Sequence, residues 1–91
     1  MNRKESFMYL HIGKNTVLDS RDIIGIFDMD SLKDSHEINK IFEDLKKENN
    51  IINVSENIEK SLVLTKIDGI IKGFISNISS NTLAKRAEKF Q

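Results

Sequence analysis

A few residues of this 91-residue chain have side chains able to act on another molecule: two histidines, two spaced aspartates, a serine pair and several cations. His11 and His36 fall in different expected elements and gather too few ligands for a metal site. His11, on the polar face of a strand, reads as a surface or interface residue, and His36 as a solvated residue in a first helical turn. Asp28 and Asp30 have the spacing of an acid/base pair, yet they follow a strand end, where acidic residues commonly close structure. Ser79-Ser80 has neither a partner base nor a nucleophile-elbow glycine pattern, so helix capping accounts for it better. Gly13-Lys14 opens no phosphate-binding loop, because neither G-x-G-x-x-G nor G-K-[ST] occurs. The expectation is a protein that is not an enzyme and takes no cofactor, no metal and no small-molecule substrate.

The cations leave two readings open. Arg21 precedes one apolar strand, Lys60 precedes the next strong one, and Lys85-Arg86 lie on the last helix. Brought together, they would form a patch able to meet phosphates. Kept apart, each is an ordinary solvated charge.

Those positions depend on an α+β pattern. Met1–Phe7 is polar and without period, so a disordered lead-in is expected, followed by a single domain over residues 8–91. Met8 is a candidate start, since a well-patterned strand begins there. Tyr9–Ile12 alternates sides, Gly13-Lys14-Asn15 turns, and Thr16–Leu18 returns to make a hairpin. Arg21–Asp28 is apolar on both faces, with Ile23, Gly25 and Phe27 on one and Ile24 and Ile26 on the other. That pattern predicts the central strand of the sheet, with something packed closely at Gly25. Asp34 or Ser35 caps a helix whose apolar stripe is Ile38, Ile41, Phe42 and Leu45, and Glu43→Lys47 has the favourable i, i+4 order. Asn49-Asn50 stops that helix before a short strand at 51–54.

Leu62–Ile67 and Ile70–Ile75 flank Asp68-Gly69, a strong hairpin signal. A two-residue turn sets Val63 opposite Phe74 and Leu62 opposite Ile75. Ser79-Ser80-Asn81 caps a second helix with Leu83, Ala87 and Phe90 at i, i+4, i+7. That stripe either packs on its own sheet or meets another subunit, as apolar sheet edges also do. The expected fold is a small mixed or antiparallel sheet of about five to six strands with two helices.

Composition narrows the partners. Lys+Arg and Asp+Glu balance at 14 each, so no global field recruits nucleic acid. DNA binding then needs a local patch or many copies of a weak one. The chain has no Cys, which removes disulfides and thiolate metal sites, and nothing points to secretion. No apolar run approaches the roughly 20 residues that span a bilayer. A cytoplasmic protein without membrane partners is the plain expectation.

Met8–Gly13 and Ser20–Asp28, then Val54-Ser55-Glu56, Lys60–Thr65 and Ile78–Ala87, resemble the small family of extracellular matrix (biofilm) regulators RemA and RemB of Gram-positive bacteria. The likeness covers nearly everything after Met8 and is closer on the RemB side. It implies a LytTR-like, DNA-binding transcriptional regulator that assembles into a closed ring, with double-stranded DNA following basic residues repeated around it. Position by position, Arg21 matches a basic residue implicated in DNA contact, and Lys60 the basic position before the strand that starts at Ser61. Lys85 and Arg86 are further candidates. Adjacent arginines shortly before that strand in RemA are replaced here by Asn57-Ile58-Glu59. This departure leaves a ring-forming interaction module with weak or no DNA binding as the alternative.

Overall fold

The computed structural model describes residues 9–88. The expected lead-in at Met1–Phe7, Met8 and the helix position Phe90 lie outside the described residues. Six strands and two α-helices run in the order β1 (Tyr9–Gly13), β2 (Thr16–Asp19), β3 (Ile23–Asp28), α1 (His36–Lys47), β4 (Ile51–Asn53), β5 (Ser61–Ile67), β6 (Ile70–Ser76) and α2 (Ser80–Glu88). Short 3-10 turns at Ser20–Asp22 and Met29–Asp34 flank β3. The strands divide into two sheets rather than one: an antiparallel β1–β2 pair, and a mixed sheet ordered β3-β5-β6-β4.

β3 therefore lies at an edge, which corrects the expectation that it is central. The strand covered on both faces is β5, where Ser61–Thr65 are all buried. A bulge separates the pairs Ile23↔Thr65 and Gly25↔Leu64, leaving Ile24 as the extra residue, 55 % exposed. The bulge also shifts the phase of β3. Ile23 packs with Ile26 on one side of the sheet, while Phe27 packs on the other. The close packing expected at Gly25 is supplied within the strand, because the Phe27 ring lies where a Cβ at Gly25 would stand.

Two cores sandwich the main sheet. On one face, Phe42 and Leu45 of α1 and Leu32 of the 3-10 turn meet Leu62, Leu64 and Ile75. On the other, Leu10, Ile12 and Leu18 of the hairpin join Leu83 of α2 over Val63 and Phe74. Leu83 is thus spent in its own core and is no subunit contact. Three buried hydroxyls each donate to a backbone carbonyl: Ser61 to Ile78, Thr65 to Lys72, and Ser76 to Ile12. The last of these ties the hairpin layer to the sheet across 64 residues of sequence.

The local signals in the helices and the second hairpin hold up well. Ser35 caps α1 by accepting from the Ile38 N–H, and Asn49, at φ 61°, ends it. Asn50 N–H returns to Leu45 O and Asn49 N–H to Lys46 O, the paired bonds of a Schellman stop. Ile41 stays at the surface, and Glu43 pairs with Lys46 at i, i+3 rather than with Lys47. Asp68 and Gly69, at φ 53° and 81°, make the two-residue turn with both left-handed positions. The register is as expected, with Val63 opposite Phe74 and Leu62 opposite Ile75.

Candidate nucleic-acid interface

Arg21 sits in the 3-10 turn between β2 and β3, its side chain 64 % exposed. Asp19 caps that turn by accepting from the Arg21 N–H at 2.9 Å, and the same carboxylate receives the guanidinium, Nη2 to Oδ2 at 2.7 Å. This side-chain hydrogen bond is the main reason that the Asp19 carboxyl is held below its ordinary value and the Arg21 guanidinium above its own. Sequence reasoning missed Asp19 as the partner. The Asp-x-Arg spacing was the available signal, since a capping aspartate holds its carboxylate over the residue two positions on.

Lys60 is exposed immediately before β5, with its backbone fixed at both ends. Its N–H donates to Ser76 O at 2.9 Å, and its carbonyl accepts from the Met29 N–H at 3.0 Å. Among the described residues it makes no ion pair. Its neighbour Glu59 is engaged by Asn53, whose Nδ2 donates to it at 2.9 Å. Lys60 shares a cleft of about 300 Å³ with Asp28, Asp30, Glu59 and the residues that open α2, Ser79–Asn81. Asp28 itself caps the 3-10 turn at Met29–Asp34, accepting from the Asp30 N–H and the Ser31 hydroxyl. His11 lies on β1 instead, where its Nε2–H donates to Lys14 O at 2.8 Å.

The structure does not bring Arg21 and Lys60 together within one chain. Asp28 is opposite Ser61 and Ile23 is opposite Thr65, so the two cations lie at opposite ends of the β3–β5 ladder. The six residues of β3, Ile23–Asp28, lie between them and put them roughly 20 Å apart. Arg86 is drawn to the hairpin layer, where Nη1 reaches His11 O at 3.4 Å, while Lys85 is exposed. Tyr9 of the same strand pairs with Asp19, so Arg86 is closer to the Arg21 end than the sequence separation suggests.

Among the described residues no helix is long and apolar enough to cross a membrane. Residues 9–87 match the model of the RemA-like family, extracellular matrix regulatory protein A-like. The chain is also 39 % identical over 83 residues to "Extracellular matrix regulatory protein B" of Bacillus subtilis (strain 168), covering 89 % of this chain and 91 % of that protein. With its segments and their spacing accounted for from Tyr9 to Ala87, the chain belongs to the RemA-like family of extracellular matrix regulatory proteins.

Proposed function

We propose that this protein is a cytoplasmic, DNA-binding transcriptional regulator of extracellular matrix genes that acts as a ring-shaped oligomer and not as an enzyme. Family membership over residues 9–87 carries the reading, supported by a relative named as an extracellular matrix regulatory protein. Arg21 and Lys60 are the leading phosphate contacts, and Lys85 and Arg86 are further candidates. Zero net charge means that one copy binds weakly, and the ring multiplies the contact.

A second reading, an interaction module with little affinity for DNA, is favoured by the Asp19–Arg21 pair and by the distance between Arg21 and Lys60. Titration of duplex DNA at several salt concentrations, with particle mass followed in parallel, separates the two. On the DNA reading, affinity falls with salt by about 0.9 log units per phosphate contact and log unit of salt, and Arg21→Ala/Lys60→Ala flattens the slope. A large particle without salt-dependent affinity establishes the interaction module instead.

A further inference from the structure

Beyond its last neighbours the β5–β6 hairpin runs on alone. β3 covers β5 only as far as Thr65, and β4 covers β6 only from Gly73 to Ile75. The ribbon from Lys66 to Lys72 therefore has both backbone edges open, and it carries three large apolar side chains into solvent. Ile67 is 40 %, Ile70 53 % and Ile71 36 % exposed. Ile67 and Ile70 stand opposite each other beside the turn. A two-stranded ribbon of this kind is marginal in water, and open apolar edges invite pairing.

At the other end of the sheet a cleft of about 220 Å³ lies between β3, the following 3-10 turn and α1, with Phe27, Leu32 and Ile38 among its lining residues. The ribbon turn is seven residues of β5 beyond Ser61, which pairs with Asp28 at the cleft. Ribbon tip and cleft are thus on the order of 24 Å apart and cannot meet within one copy. Their charges are opposite. Asp28–Asp34 holds three aspartates and one lysine, a sum of −2, whereas Lys66–Lys72 holds two lysines and one aspartate, a sum of +1.

We propose that the β5–β6 tip of one copy seats Ile67 and Ile70 in the Phe27–Leu32–Ile38 cleft of the next copy. The proposal deepens the ring reading above and rests on it. Because the two surfaces differ, the contact is heterologous, and it propagates head to tail until the rotation closes a ring. It also completes the divided cation site. The turn that holds Arg21 packs beside β5 near the base of the ribbon, and Lys60 is bonded through its backbone to Met29, the residue after Asp28 of the cleft lining. Docking sets Arg21 of one copy next to Lys60 of its neighbour, so phosphates meet the pair at each junction.

Sedimentation velocity at micromolar concentration tests this with two variants of exposed residues. The ribbon variant is Ile67→Glu/Ile70→Glu, and the cleft variant is Asp30→Lys/Ser31→Lys. Each alone sediments as a monomer with an unchanged far-UV circular dichroism spectrum. An equimolar mixture gives dimers and nothing larger, since one intact ribbon and one intact cleft remain between them. If either variant loses its fold, charge reversal takes its place. Lys66→Glu/Lys72→Glu weakens assembly roughly tenfold, and mixing it with Asp30→Lys/Asp34→Lys restores it. Assembly of the ribbon and charge-reversed variants at wild-type mass overturns this interface and leaves the ring reading standing. A monomeric wild type overturns both.

Discussion

Arg21 donates from Nε and Nη2 to the carboxylate of Asp19, Nε at 3.2 Å from each oxygen and Nη2 at 2.7 Å from Oδ2. The pair is exposed and local, so it fixes the direction of the guanidinium more than it stabilises the fold. A phosphate arriving at Arg21 has to share that guanidinium with Asp19.

The pair predicts a pH dependence of definite sign. Asp19 is held below its ordinary value, chiefly by the Arg21 side-chain hydrogen bond and next by the Arg21 backbone N–H. Its contribution is therefore present above the unfolded carboxylate range and is lost as pH falls through its own lowered value. The Asp19 carboxyl carbon, followed by NMR, titrates below the ordinary aspartate value of about 3.9, and Arg21→Ala, which keeps the backbone N–H, moves it up toward that value without reaching it.

Asp19→Asn keeps a capping oxygen and removes the competing charge. The expected outcome is stronger DNA binding at low salt, by roughly threefold to tenfold, with a steeper salt slope. A fluorescence-anisotropy titration measures it, and an unchanged affinity means that Arg21 meets no phosphate.

Ser76→Ala removes the hydroxyl that donates to Ile12 O and accepts from the Ile78 N–H at 3.0 Å. One buried and one half-buried backbone group then lose a partner, and urea denaturation should report a loss of about 1–3 kcal/mol. Ser79→Ala, at the exposed cap of α2, should cost about 1 kcal/mol by the same measurement.

Asn49→Gly and Asn49→Val part in opposite directions at one position. The left-handed φ of 61° suits glycine and strains a β-branched residue. The glycine variant should match or slightly exceed the wild-type thermal midpoint. The valine variant should lose about 1–2 kcal/mol.

Much of this fold could be read locally. Asp68-Gly69 set the β5–β6 register residue by residue, and Ser35 and Asn49 marked both ends of α1, because turns and caps are decided within a few positions. What escaped was non-local. The pattern of β3 looks buried on both faces, but the bulge at Ile24, next to Gly25, alters its phase, and a strand glycine marks a bulge or a close approach alike. Leu32, between β3 and the cap of α1, reaches the core through a 3-10 turn that no periodic pattern marks. Arg21, Lys60, Lys85 and Arg86 were identifiable as cations, but their separation was set by strand order. Nothing in the spacing of strands tells that β5–β6 lies between β3 and β4.

That insertion orders events during synthesis. β3 and β4 are parallel outer strands, and β4 hydrogen-bonds to β6 while β3 hydrogen-bonds to β5. As the chain emerges from the ribosome, everything up to Lys60 is made before either strand has a partner, and α1 has no apolar floor to settle on. The hairpin that follows closes the gap from the middle, so a nascent chain stalled before Ser61 should remain sensitive to protease.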